Sequence, residues 1–120
     1  FASQYIFDFL ADPLCRFHYD ILVNTVHVIE KLDEKTHIVR LLHTNKQCFL
    51  KNERETLVIV RHHVARPGDK YVIAAVSIQH AAYPVDKENE SGCAVSKRSG
   101  CIRTDIRSSG WIIEAVAKKR

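Results

Sequence analysis

Strand-forming segments dominate the sequence from residue 21 onward, and they limit the fold more than any other feature. Within them the apolar residues recur with a period of two and many are β-branched, which is typical of β-strands. Four such segments follow one another along the chain, at residues 21–32, 36–44, 56–64 and 70–78. Their succession predicts an antiparallel meander.

Turn-forming residues separate these segments and follow them. Pro67 and Gly68 fit the two central positions of a type II turn between the third and fourth segments. Residues 82–100 are polar and contain Pro84, Gly92 and Gly100, which predicts a long mobile loop. Residues 103–116 predict a closing β-hairpin that turns on Ser-Ser-Gly.

A helical pattern precedes the strands. Residues 2–11 place four apolar side chains on one stripe of a helix, with Ser3 as a candidate N-cap. Asp12-Pro13 ends this helix, and Pro13 opens a second short helix over residues 14–20. The predicted fold class is therefore α+β, with short helices followed by a six-strand antiparallel sheet.

Length and charge exclude several classes of protein. The 120 residues allow one domain or part of one, and the formal net charge is +4. The lysines and arginines of the chain are mostly scattered along the sequence, so we expect no nucleic-acid partner. No apolar run is long enough to span a membrane, and no signal peptide is present, so we expect a cytoplasmic protein. The start at Phe1 and the lack of methionine predict a piece of a longer polypeptide.

The cysteines and histidines form no metal-binding motif. Cys15, Cys48, Cys93 and Cys101 are widely spaced, and we expect reduced thiols although disulfides are possible in principle. The adjacent histidines of the third strand point to opposite faces and cannot chelate one ion. A zinc site formed by His80, Cys93 and Cys101 would depend on the predicted mobile loop. We predict neither a metal nor a cofactor.

Catalytic constellations are also missing. Asp105 and Glu114 would face each other across the closing hairpin, where a carboxylate pair can perform acid/base chemistry. On such a hairpin they are more often solvated or paired with Arg103 or Arg107. The chain contains no G-x-S-x-G sequence and no G-x-G spacing. We therefore predict that the protein is not an enzyme.

One arginine lies on an otherwise apolar strand face. Alternation places Arg61 on the same side of the third strand as Leu57 and Ile59. Burial of its charge would require a partner or a polar ligand. Alternatively, the side chain extends to solvent while its stem covers apolar neighbours. The pattern alone leaves both interpretations open.

The closing segment carries a resemblance to a known family. Residues 101–114, CIRTDIRSSGWIIE, resemble a motif of the START (StAR-related lipid-transfer) family, in which an arginine and an acid precede Ser-Gly-Trp/Phe-x-Ile. The residues that match are Arg103, Asp105, Gly110, Trp111 and Ile113. Ala115 stands where the family usually has proline.

Further family motifs are matched upstream and in order. Residues 12–20 look like the short helix of the family that ends in Trp-Asp. Residues 21–42 are similar to its hairpin with Glu-x-Leu-Asp-Glu-x-Thr at the turn. Residues 54–61 resemble Pro-Arg-Asp-Phe/Tyr-Val-x-x-Arg, and residues 69–80 resemble the strand that follows. The resemblance thus covers nearly the whole chain.

The resemblance implies a helix-grip fold, in which a curved antiparallel sheet and a C-terminal helix enclose one lipid. Residues 1–120 would be the central part of one START domain, without its first strands and its C-terminal lid helix. The implied function is lipid binding or transfer, with transient contact to a membrane surface. The alternative is a regulatory module that senses lipid within a larger enzyme or motor. A large kinesin-like parent is favoured, which implies association with the cytoskeleton or with a membrane.

The resemblance also suggests which residues contact the lipid. These are Arg61, Leu57, Ile59, Leu41, Trp111 and Arg103. In sterol-binding members an arginine on the third strand, which Arg61 matches, pairs with an acid on the preceding strand. The position of that acid falls near Leu41 in this chain. We therefore expect that the ion pair is lost and that Arg61 binds an anionic head group inside the cavity. We also expect Trp111 to be a core or cavity-wall residue.

Overall fold

The computed structural model describes residues 2–20, 23–43, 54–86, 95–97 and 101–116. Two helices and a 3₁₀ turn precede the strands: α1 (Ser3–Ala11), the 3₁₀ turn (Pro13–Cys15) and α2 (Arg16–Tyr19). The strands are β1 (Val23–Asp33), β2 (Thr36–His43), β3 (Arg54–Arg66), β4 (Lys70–Ser77), β5 (Val85–Asp86), β6 (Val95–Ser96), β7 (Ile102–Thr104) and β8 (Ser109–Glu114). Together they form one sheet of eight strands, and the fold class is α+β with the sheet dominant.

The observed helices confirm the prediction that helical structure precedes the strands. The carboxylate of Asp12 accepts a hydrogen bond from the backbone N–H of Leu14 at 3.0 Å, so it caps the turn that Pro13 opens. The N-cap of α1 is Ala2, and Ser3 is not the cap. Ser3 instead donates a hydrogen bond to the carbonyl oxygen of Gly68 at 3.2 Å, which ties α1 to the β3–β4 turn.

The four predicted strands pair as successive antiparallel hairpins. At the β1–β2 turn, the Asp33 carboxylate accepts a hydrogen bond from the N–H of Lys35 at 2.7 Å. At the β3–β4 turn, Gly68 has a φ of 76°, and the N–H of Asp69 donates to the carbonyl of Arg66 at 2.9 Å. The predicted type II turn is therefore confirmed.

The strand β3 is the centre of the sheet, and this topology contradicts the predicted closing hairpin. One edge of β3 pairs with β2, and the other pairs first with β7, in parallel, and then with β4. The strand β8 pairs with β4 and not with β7. Since β4 leaves β3 beyond Ser77, the first residues of β3 remain free to pair with β7. The six-strand meander and the hairpin over residues 103–116 were therefore wrong predictions.

The predicted loop over residues 82–100 contains strand structure at its ends. The short strands β5 and β6 pair with each other, and β6 pairs with β7. Residues 87–94 and 98–100, on which most of the loop prediction falls, lie outside the described residues. The sheet thus has a second arm, formed by β7, β6 and β5 beside the first residues of β3.

Strand alternation gives the sheet two faces with different coverings. On the inner face, α1 packs through Phe7 against Tyr71 and Ile73. A second inner cluster consists of Val39, Leu41, Val58 and partly buried neighbours. The outer face carries the alternate residues of the same strands. The helices therefore cover only part of the inner face.

Candidate ligand-binding cleft

An apolar cleft of about 290 Å³ lies between the helices and the inner face of the sheet. The end of α1 contributes Leu10 and Ala11, and strands β2 to β4 contribute alternate apolar side chains. The described residues that line it are Leu10, Ala11, Pro13, Arg16, Tyr19, Val39, Leu41, Val58, Val60, Ile73, Ala75, Ile106, Ser109, Gly110 and Trp111. Period-two alternation places one such side chain in the cleft at every second strand position.

Arg16 is the charged member of this lining. Its Nε lies 3.2 Å from Oδ2 of Asp20, one helical turn further along. Its guanidinium also lies 5.7 Å from the centre of the Tyr19 ring. The cleft therefore has an apolar wall and a cation at the end where α2 lies.

A histidine of β2 shares the carboxylate that binds Arg16. Nε2 of His43 lies 3.6 Å from Oδ2 of Asp20. Burial lowers the pKa of His43; the charge of Arg16 acts in the same direction, whereas Asp20 opposes both. A neutral His43 leaves the Asp20 charge available to Arg16.

Two of the predicted lipid-binding residues line the inner cleft. Leu41 is buried with 4% exposure and packs with Val39 and Val58. Trp111 is not a core residue, because half of its surface, 50%, is exposed. It forms part of the cleft wall from β8, which in the described part of the chain pairs only with β4.

Arg61 and Ile59 lie on the outer face, away from this cleft. The register pairs Arg61 with Thr36 and Leu41 with Thr56, so Arg61 and Leu41 point to opposite sides of the sheet. Arg61 is exposed, and its Nη1 lies 3.4 Å from Oγ1 of Thr36. Both Arg61 and Ile59 line a separate outer groove of about 330 Å³.

Contrary to the expectation, Arg61 does not line the inner cleft. A side chain at position 41 cannot meet Arg61, whatever its charge, because the sheet separates them. On β3, the residue that lines the inner cleft beside this position is Val60. The residue that the family motif selects, Arg61, follows the inward-facing Val60 by one position. A shift of one residue along a strand exchanges the faces of the sheet.

Arg103 and Leu57 also lie on the outer side of the sheet, where Arg103 is part of a buried polar cluster. Nε and Nη2 of Arg103 lie 2.9 and 2.7 Å from Oε1 of Glu55. Nε of Arg40 donates to Oε2 of the same carboxylate at 2.7 Å. Glu55 has 0% exposure, as does Leu57, the cross-strand neighbour of Arg40. We call Arg40, Glu55 and Arg103 the outer ion cluster.

The outer ion cluster holds the segment that follows β4. Nη2 of Arg103 donates to the carbonyl oxygen of Tyr83 at 2.9 Å, and the guanidinium of Arg40 lies 5.6 Å from the centre of the Tyr83 ring. Burial disfavours the charged form of Glu55, but the hydrogen bonds from both arginines prevail and lower its pKa. The role of Arg103 in the described structure is therefore to bind Glu55 and Tyr83.

Sequence reasoning missed the two most informative charged groups. Arg16 was assigned to a short helix, and its i,i+4 spacing to Asp20 was the available signal. Glu55 precedes Thr56 and the apolar run that begins at Leu57, and this pattern gives no indication of its complete burial. Asp105 and Glu114 do not face each other across a hairpin, because β8 pairs with β4, where Oε1 of Glu114 lies 3.7 Å from Nζ of Lys70.

The described residues contain no group of three or more His, Cys, Asp or Glu side chains placed to hold a metal ion. Within the same part of the chain, no helix has both the length and the apolar character needed to cross a membrane. No family model matches the chain, and comparison with characterised proteins finds no significant match. Fold and cleft together thus define an α+β domain with an apolar cleft on one face of its sheet.

Proposed function

We propose that this chain is part of a lipid-binding domain that holds one hydrophobic lipid in the inner cleft. The observation that carries the proposal is an apolar cleft with one arginine at its end. Ligand sites of this kind bury an apolar body and orient it through few polar groups. The ordered resemblance to START motifs supports the same class and favours a helix-grip fold. The domain acts by binding, without a catalytic step.

The polar end of the ligand lies at Arg16 and its apolar chain lies along β2, β3 and β4. A guanidinium forms strong, charge-assisted hydrogen bonds with carboxylate or phosphate oxygens. Each methylene transferred from water contributes about 0.8 kcal/mol. For single-chain ligands that still fit the cleft, Kd should therefore fall roughly fourfold for each added methylene.

The first test uses native mass spectrometry after loading with sterols, phospholipids, sphingolipids and fatty acids. We expect a single adduct for each molecule of protein. The Val60→Trp variant places an indole in the cleft and should abolish the adduct while circular dichroism shows a folded sheet. Absence of any adduct across all these lipid classes would overturn the proposal.

The second test separates the role of Arg16 from general charge. Arg16→Gln should weaken binding of an anionic single-chain lipid by roughly 10- to 100-fold, because a hydrogen bond to a charged group is lost. Arg66→Gln is the matched control, since Arg66 also pairs with an aspartate, at 3.1 Å, but lies outside the cleft. Equal affinities of the two variants would exclude Arg16 as the head-group residue.

Transfer of a labelled lipid between vesicles distinguishes a carrier from a domain that only senses its ligand. A carrier increases the rate of transfer in proportion to protein concentration and contacts the membrane surface transiently. A sensing domain binds lipid in the first test without this increase.

A further inference from the structure

One histidine of the inner face, His62, lies where α1 packs against the sheet, and a second, His37, lies beside it on the next strand. The ring centres of His62, on β3, and Phe7, on α1, are 5.7 Å apart at an interplanar angle of 72°. The ring of His37, on β2, lies 6.1 Å from that of His62 at 24°. His62 therefore lies between the principal anchor of α1 and a second titratable ring.

The attachment of α1 depends mainly on Phe7. This ring has 5% exposure and stacks on Tyr71 at 4.7 Å. Near the start of α1, the Tyr71 hydroxyl donates to Oε1 of Gln4 at 2.8 Å. A helix of nine residues is marginal by itself. The helix therefore persists because Phe7 and these hydrogen bonds hold it against the sheet.

The surroundings of His62 favour its neutral form. Burial lowers the pKa of His62 below the ordinary 6.5, and the charges of His37 and Lys35 act in the same direction. Asp33 and a hydrogen bond to the backbone of Glu34 oppose them. The ring of Phe7 on α1 and the side chain of Ile73, opposite His62 on β4, carry no charge. On β1, Lys31 lies opposite His37 and adds a positive charge beside the pair.

We propose that His62, with His37 beside it, forms an acid-sensitive latch, which releases α1 from the sheet when the ring of His62 becomes charged. The charges of His37 and Lys35 oppose a charge on His62. Beside Phe7, a charged His62 must also retain water that the packed helix excludes. Since α1 contributes Leu10 and Ala11 to the cleft, its release opens the wall of the cleft. A bound ligand is then released in acid, and only this consequence rests on the proposed function.

The direction of the pH effect follows from linkage. A histidine whose pKa is lowered by folding binds fewer protons in the packed state than in the released state. Attachment of α1 is therefore strongest above the ordinary histidine range and weakens as the pH falls through 6.5 and then through the lower pKa of the packed state. For each pH unit by which packing lowers the pKa of His62, the exchange protection of the α1 amides should be roughly tenfold smaller at low pH than at high pH.

Hydrogen exchange of the ligand-free full chain tests the latch from about pH 8 to about pH 5, the range in which histidine titrates. After correction for intrinsic exchange, the amides of Ser3–Ala11 should lose protection more steeply than those of β3. His62→Gln should remove this excess loss. His63→Gln is the matched control, because His63 is adjacent, exposed and on the outer face, and it should retain the excess loss.

His37→Gln provides a second variant if His62→Gln unfolds α1 at every pH. It removes one charge of the pair without touching Phe7, and it should reduce the excess loss by removing the repulsion. An unchanged pH dependence in both variants would overturn the latch, as would equal losses in α1 and β3. Because no lipid is present, this result is independent of the proposed function.

Discussion

Glycine at position 110 shows how one residue permits a strand pair. Gly110 lies opposite Ala74 in the β4–β8 pair and has a φ of 155°. A Cβ atom at this position would lie 1.9 Å from the carbonyl oxygen of Ile73, which is backbone and cannot move aside cheaply. Gly68 also has a positive φ, of 76°, but among the described residues no atom beyond its chain neighbours lies within 4 Å of the corresponding Cβ position. The two glycines therefore have different physical roles.

These roles predict different effects of alanine. Gly68→Ala should lower the free energy of unfolding by about 1–2 kcal/mol, the cost of the left-handed conformation. Gly110→Ala should cost more and displace β8 from β4, because the clash adds to the strain. Urea unfolding measures the first effect, and hydrogen exchange in β8 measures the second. Equal destabilisation with β8 still protected would contradict this view of Gly110.

At the scale of secondary-structure elements, the outer ion cluster joins β2, β3 and β7. Arg40, Glu55 and Arg103 come from these three strands, and Tyr83 adds the segment after β4. A buried carboxylate bound to two guanidinium groups stabilises this arrangement only while all members are present. The cluster thus connects the second arm of the sheet, which contains β7, to its main part.

Removal of the central carboxylate should therefore loosen the second arm. Glu55→Gln should lower the free energy of unfolding by about 3–5 kcal/mol, because it leaves two largely buried guanidinium groups without their counter-charge. The matched control Glu30→Gln removes an exposed partner of His80 and should cost less than about 1 kcal/mol. A cost for Glu55→Gln as small as that of the control would contradict the role of the cluster.

The same carboxylate predicts part of the acid sensitivity of the fold. Since folding lowers the pKa of Glu55, its contribution to stability is present above the ordinary value of 4.5 and is lost as the pH falls through the folded-state pKa. The difference in stability between wild type and Glu55→Gln should therefore diminish in this acidic range. Urea unfolding at a series of pH values measures it, and a constant difference would show that the pKa of Glu55 is unchanged by folding.

At the scale of the whole molecule, the sheet has one centre and two kinds of edge. Among the described residues, β3 has partners along both sides, whereas β1 pairs only with β2 and β8 pairs only with β4. Backbone groups that are paired and covered on both sides open mainly through global unfolding, and edge strands open locally. The molecule is therefore expected to open from its edges toward β3.

Hydrogen exchange under native conditions tests this order. We expect the amides of residues 56–60, on the central strand, to be the most protected, and those of β8 to exchange by local opening with little dependence on urea. The buried residues Leu57 and Val58 lie in the protected stretch, whereas Ile112 in β8 is 67% exposed. Stronger protection in β8 than in β3 would contradict this topology.

Local chemistry determined much of this protein. Period-two alternation identified β1 to β4, the proline after Asp12 placed the helix boundary, and Pro67-Gly68 specified the turn between β3 and β4. These features depend on backbone conformation and on which side chains alternate, and both can be read from neighbouring residues. The α+β class follows from them.

The tertiary structure alone decided the rest, because pairing between distant strands is set by register and packing. A shift of one residue along β3 exchanges its faces, so only the pairing with β2 shows that Val60 lines the cleft and Arg61 lies outside. The parallel contact of β7 with β3 brings Arg103 to Glu55 across 48 residues, and no local pattern encodes it. The contact between Phe7 and His62 likewise depends on how α1 packs against the sheet, which is a long-range contact.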